Sequence, residues 1–207
     1  MDILDIHSHR VYKRAIASCS PLNFVPEVGQ YYSVGIHPWN VTSDYYKDWK
    51  ALLQIADHEN VLALGEAGLD KLVDVDMGLQ MEVFKLQIEL AEQIGKPLII
   101  HSVRTSNELI QLKKQYNPTV PWIIHGFRGN RNTVSDLVKV GFYLSFGEKY
   151  QIDALRSVPI NRMFMETDES PVDINVLYNK VANELSLTDN QFMTQVRENI
   201  EEVFFNR

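Results

Sequence analysis

"MGLQMEVFKLQIELAEQIGKPLIIHS" (residues 77–102) holds, in order, a helix, a stop and a strand. Leu79, Val83, Leu86, Leu90 and Ile94 recur at spacings of four and three, the stripe of an amphipathic helix facing a core. Gly95 can adopt the left-handed conformation that ends a helix, and Pro97 cannot continue one. The following "PLIIH" is apolar on both faces, as a strand covered on both sides of a parallel sheet should be. A helix leading into such a strand is the repeating half of a parallel α/β fold.

Strands of the same kind recur along the chain: "DILDIH" (2–7), "AIASC" (15–19), "YYSVGIH" (31–37), "VLALGEAG" (61–68), "WIIHGF" (122–127), "FYLSFG" (142–147) and "MFMETD" (163–168). A last helix is expected from Thr188, with Gln191 three residues on as a capping-box signal, burying Phe192, Val196, Ile200 and Val203. About eight strands in one domain predict a β/α barrel, with an open doubly wound sheet as the alternative. Only about 20 residues separate "DIHSH" from "YYSVG", so any helices there are short or missing. No linker, charge block or repeat divides residues 1–207, which read as a single domain.

The 207 residues suffice for one core and are few for two. With 45% apolar and 23% charged residues, the composition is that of a soluble globular protein. Twenty basic and 27 acidic residues give a net charge of −7, which offers nucleic acid no global attraction. A local metal site can reverse that field. The single cysteine, Cys19, excludes an internal disulfide and fits a reducing compartment. There is no basic start followed by an apolar stretch, and no apolar run near the roughly 18 residues of a membrane span. We expect a soluble, cytoplasmic protein with no membrane association.

The chemistry collects at the strand ends. His7 and His9, two apart on one strand, share a face. His37, Glu66, His101, His125 and Asp168 end their own strands, and only His58 of the six histidines lies elsewhere. Singly, each has an ordinary reading: a strand-end histidine satisfied by backbone, a turn carboxylate at Glu66, a helix N-cap at Asp168 ahead of "ESPVD". Together, four histidines and two carboxylates at the carboxyl end of one barrel meet the needs of a two-metal hydrolase. Imidazole suits Zn, Mn, Fe, Co or Ni, and carboxylate also accepts Mg and Mn. The lack of a cysteine cluster argues against a structural thiolate zinc site. Two divalent ions against two carboxylates leave roughly +2, which attracts phosphate and lowers the pKa of bound water from 15.7 towards about 7.

In these residues the sequence resembles the TatD family of metal-dependent deoxyribonucleases, within the amidohydrolase-like hydrolases. The similarity runs through "DIHSH", "GIHPW", "ALGEAGLD", "GKPLIIHS", "IIHGFRGN", "METDESP" and "RENIEEVF" in order. It implies a TIM-barrel-like (β/α) barrel of parallel strands and cleavage of DNA phosphodiester bonds by a metal-activated water. It also implies two divalent ions such as Mg, Mn or Zn. By position, His7, His9, Glu66 and Asp168 would hold one metal, and Glu66, His101 and His125 the second, with Glu66 bridging. Asp168 would handle the proton of the attacking water, and His37 would reach the substrate phosphate.

Departures from the family pattern touch substrate binding more than the metal shell. The chain is short before "GIHP". Arg10 stands where leucine usually follows the paired histidines, Arg128 where threonine is frequent, and "TDESP" has an extra residue before its proline. The family often reads "IHxR" followed by an acidic residue and alanine, whereas "HSVRT" places Arg104 here. Arg10, Arg104 and Arg128 are candidate phosphate clamps, since guanidinium binds phosphate through two parallel bonds; solvated or capping arginines are the alternative. Trp39 can stack on a base or cover the barrel edge, and we read it as edge cover. Asp70 and Asp5 are candidates to orient ligand side chains, or they only shape loop and barrel interior. Cys19 reads as a small core residue. The expected partner is DNA or a small phosphodiester, with no obligate protein partner. The same scaffold can also serve amide or ester substrates, including aminoacyl-tRNA esters, or act as a non-catalytic barrel.

Overall fold

Buried apolar segments set the frame: Asp5–Ser8 (β1), Ala15–Cys19 (β2), Tyr31–Val34 (β3), Val61–Asp70 (β4), Leu98–Val103 (β5), Trp122–Ile124 (β6), Tyr143–Phe146 (β7) and Met163–Met165 (β8). The computed structural model describes residues 2–206. In it these eight strands pair in parallel, each with the next in sequence. The seam between β8 and β1 is closed by a bridge between Ser8 and Asp168. There the Asp168 N–H donates to the His7 carbonyl at 2.9 Å, and the His9 N–H donates to the Asp168 carbonyl at 3.1 Å. The sheet is therefore a barrel and not an open doubly wound sheet.

Helices cover the outside: Tyr46–Ile55 (α1), Met77–Ile94 (α2), Ser106–Tyr116 (α3), Arg131–Lys139 (α4), Ile152–Leu155 (α5), Ile174–Glu184 (α6) and Asp189–Ile200 (α7), which runs on as a π-turn over Glu201–Phe205. Among the described residues no helix joins β1 to β2, and only a 3-10 turn, Pro21–Asn23, lies between β2 and β3. The early connections are compressed, as the short spacing requires. Helix α2 ends at Gly95 with φ 68°, and α7 starts with the complete Thr188–Gln191 capping box. Among the described residues, no helix is long and apolar enough to cross a membrane.

Several details differ from the sequence reading. Strand β4 runs on to Asp70, so Glu66 lies inside it and not at its end. Strand β3 stops at Val34, and His37 caps the 3-10 turn Pro38–Asn40. Asp168 lies three residues past β8 in the left-handed conformation, φ 54°, and the N-cap of α6 is Asp173. Helix α2 is rotated from the expected stripe: it buries Gln80, Val83, Phe84, Gln87, Ile88, Leu90 and Ala91, leaving Leu79, Leu86 and Ile94 half-buried. Strands β4 and β5 come very close at Gly68, φ 149°, where a side chain would strike the His101 carbonyl. That approach brings the strand carrying Glu66 against the strand carrying His101.

Candidate metal centre

Glu66 divides the histidines of the barrel mouth into two sets. Its Oε1 lies 2.7 Å from His101 Nδ1, 2.7 Å from His125 Nε2 and 2.9 Å from His37 Nε2. Its Oε2 lies 3.4 Å from His7 Nε2 and 3.6 Å from His9 Nε2. Asp168 Oδ1 faces the second pair, 3.4 Å from His9 Nε2 and 3.7 Å from His7 Nε2. The sequence explains this arrangement locally. His7 lies in β1 and His9 just past it on the same side, while the backbone of Asp168 is hydrogen-bonded between them across the barrel seam. The bonds that close the barrel are thus made by the residues of the site.

Ligand atoms within 4.8 Å of one another form three overlapping groups: His7–His9–Glu66, His7–His125–Asp168, and His37–Glu66–His101. All six residues expected to ligate are brought together. His37, expected to face substrate, also falls within ligand distance of Glu66 and His101. His7 is fully buried, yet among the described residues neither of its ring nitrogens has a hydrogen-bond partner. A buried imidazole left without partners is costly unless something else engages it. A cation beside Glu66 Oε2 and Asp168 Oδ1 is a chemically suitable partner. The donor set therefore fits divalent metal.

Outer partners fix the rings. Asp70 Oδ2 lies 3.1 Å from His101 Nε2, directing the other ring nitrogen towards Glu66. Glu166, fully buried, accepts the Gly126 N–H at 2.6 Å and lies 3.4 Å from His125 Nδ1, which aims Nε2 at Glu66. Ligand histidines commonly need such a carboxylate on the far nitrogen. Asp5 does not touch an imidazole. Its carboxylate accepts from the His7 and Thr167 backbone N–H groups and from the hydroxyls of Thr167 and Tyr12. It ties β1 to the loop carrying Asp168.

Glutamines on α2 hold the same rim. Gln87 accepts the Ile36 N–H at 2.8 Å and donates to the Ile36 carbonyl at 3.1 Å, pinning the residue before His37. Gln80 accepts the Asp70 N–H at 2.8 Å and donates to the Asp70 carbonyl at 3.0 Å. Sequence reasoning missed Glu166, Gln80 and Gln87. Glu166 had a signal, an acid two residues before Asp168; the glutamines, seven apart on one helix face, had only that spacing.

Charge follows from these contacts. Burial alone would raise the Glu66 carboxyl, but the His125 charge and the hydrogen bonds from His101, His125 and His37 hold it well below the usual carboxylate range. Burial opposes a proton on His125, yet Glu66 and Glu166 lift it well above an ordinary histidine. The neighbouring Glu66 carboxylate likewise raises His9, against its partial burial. Burial pushes Asp5 up to about 6 against its four hydrogen bonds. The carboxylates of Glu66 and Glu166 thus favour positive charge at this end of the barrel.

A cavity of about 960 Å³ opens over the cluster. Arg104 and Arg128 line it, both exposed. Arg10 does not line it; its guanidinium reaches the Val172 carbonyl at 3.5 Å and lies 5.8 Å from the Tyr12 ring centre. Cys19 is half-buried: it packs against the core and also lines the cavity. Trp39 is 60% exposed on the cavity wall, so it does not seal the barrel edge.

With that geometry established, comparison with known proteins settles the family. A family model described as "TatD related DNase" matches residues 22–204. The chain belongs to this family. The TatD match begins after β1, so His7 and His9 lie outside it. An uncharacterized metal-dependent hydrolase of Bacillus subtilis, YabD, is 32% identical over 147 residues, 67% of this chain and 58% of its own length. The human protein named 3'-5' RNA nuclease TATDN2 is 32% identical over 148 residues, 65% of this chain and 19% of its own. The TatD homolog YJJV of Escherichia coli superposes with a TM-score of 0.84 at 20% identity, over 93% of this chain and 86% of that one. That likeness extends the barrel to a second TatD protein. The chain spans little more than half the length of YabD.

Proposed function

We propose that this TatD-family chain is a metal-dependent phosphodiesterase that hydrolyses DNA, with residues 1–207 acting as one domain in the cytoplasm and needing no obligate protein partner. One observation carries the reading: the two oxygens of Glu66 face two different histidine sets. A carboxylate so placed is suited to bridge two divalent cations. His7, His9, Glu66 and Asp168 would hold one, and Glu66, His101 and His125 the other. When bound, such ions neutralise a phosphate and make a nearby water acidic.

The chain's own groups then divide the work. Asp168, partly exposed to the cavity, orients the attacking water and takes its proton. His37, which lines the cavity with Nε2 2.9 Å from Glu66 Oε1, stands where a phosphate drawn to the ions would meet it. Arg104 and Arg128 supply the cationic wall that an otherwise acidic protein needs to receive a polyanion. Glu166 and Asp70 keep His125 and His101 in place. The family's description favours DNA, and the human relative's name makes RNA the first comparison.

The test is a matrix of Mg, Mn, Zn and Co against single-stranded DNA, RNA, a simple phosphodiester, and amide and ester substrates. Metal-dependent cleavage of DNA above all others is expected. Turnover of amides or esters with none of phosphodiesters would overturn the reading.

A further inference from the structure

Trp39 combines two properties that seldom meet: it is 60% exposed, yet its indole is anchored. The ring N–H donates to Asp70 Oδ2 at 2.7 Å, and Asp70 is itself only 3% exposed. The ring lies edge-to-face with His37 at 5.0 Å between centroids and with His101 at 5.8 Å. A tryptophan that only covered the barrel edge would be buried. This one holds a large aromatic surface fixed and facing an open cavity, with its polar atom already satisfied from below.

The cavity wall around it has a matching character. On the side of β2 and β3 the lining includes Ser18, Ser20, Asn23 and Asn40, neutral groups that donate and accept hydrogen bonds. Beyond β4, on the side of β5 and β6, it includes Arg104 and Arg128. One wall is aromatic and neutral, the other cationic, and the Glu66 cluster lies between them. A nucleotide has the same division: a flat uncharged base edged with donors and acceptors, and an anionic phosphate. The connections after β1 and β2 are compressed, and this wall is built from short side chains.

We propose that Trp39 is the platform of a nucleobase subsite that stacks an unpaired base beside the phosphate being cleaved, an inference that rests on the phosphodiesterase reading. Stacking on an aromatic face is tolerant of base identity, so the subsite selects single-stranded nucleic acid and not a sequence. Asp70 joins the subsite to the metal shell, because the same Oδ2 that takes the indole N–H also contacts His101 Nε2.

The test uses the full chain loaded with Mg, and fluorescence anisotropy of a short labelled single-stranded DNA with phosphorothioate linkages, compared with the same backbone carrying abasic spacers. The wild-type protein is expected to prefer the base-bearing strand by about tenfold, within the range of stacking on one aromatic side chain. Trp39→Phe keeps a face without the indole N–H and should retain most of that preference, whereas Trp39→Ala should abolish it. Equal binding of the two strands by wild type, or a preference that survives Trp39→Ala, overturns the subsite. Base-dependent binding without cleavage by any metal would instead keep the subsite and overturn the phosphodiesterase reading. Cleavage without base dependence would do the reverse.

Discussion

Glu66 is the residue on which the site turns, since each of its oxygens faces a different pair or trio of imidazoles. Glu66→Ala should lower bound metal, measured by elemental analysis after loading and dialysis. It should also lower activity by at least about a hundredfold, beyond the usual cost of losing an outer partner. His7→Ala should act in the same direction. Glu166→Gln and Asp70→Asn keep the ligands but weaken the groups that orient His125 and His101, so metal affinity should fall by about 10–100-fold, read by competition with a chelating dye. The clustering of the candidate ligands was legible in the sequence because strand alternation and the carboxyl ends of strands collect side chains at one mouth, although Glu66 lies inside β4 and Asp168 past β8. His7 and His9 needed only a two-residue period. Trp39 was not legible: whether an aromatic at a strand end lies buried or stands exposed depends on how long the neighbouring loops are. Of the two readings of Asp5, the barrel-interior carboxylate holds, because its four donors come from the backbone and hydroxyls of the barrel seam.

Helix α2 shows how a periodic stripe can mislead. Leucines and isoleucine mark one face, yet Gln80 and Gln87 point inward because two strand-end backbones need their amides. Replacing Gln87 with Leu leaves the buried N–H and carbonyl of Ile36 unpaired. It should cost about 2–4 kcal/mol in urea unfolding, counting both groups. At the opposite end of the barrel, α3 lays the Lys113 amine 5.0 Å from the ring centres of both Trp122 and Phe142. Burial and the nearby Arg162 lower that amine to about 8. An unfolded lysine binds its proton more tightly, so between about pH 8 and 10 the unfolded chain carries more protons and stability should rise with pH. The contribution is lost as pH falls to 8. Comparing wild type with Lys113→Met in unfolding curves across that window should show the slope only in wild type. Two helix ends were readable, at Gly95 and at Thr188–Gln191, because caps are local, whereas the N-cap of α6 is Asp173 and not Asp168. Strand ends were less so, since a parallel strand stops where its neighbours stop: β4 outran its reading and β8 fell short of it.

Across the whole molecule, alternation of strand and helix indicated a barrel, and the short stretch before β3 foretold the missing helices. The closing contact was not visible in the sequence, because Asp168 joins β1 by backbone bonds to residues more than 150 positions away. The chain's −7 charge repels a polyanion, so capture falls to the mouth. Arg104→Gln and Arg128→Gln should each weaken binding of single-stranded DNA and reduce the slope of log affinity against log salt by about 0.7, the share of one phosphate contact. The central claim is that one carboxylate joins two cations in this mouth. Manganese loading followed by electron paramagnetic resonance tests it directly. The wild-type protein should bind two Mn(II) per chain with the spectrum of an exchange-coupled pair, and Glu66→Ala should lose the coupling. A single isolated Mn(II) in the wild type, or a coupled pair that persists in Glu66→Ala, would contradict it.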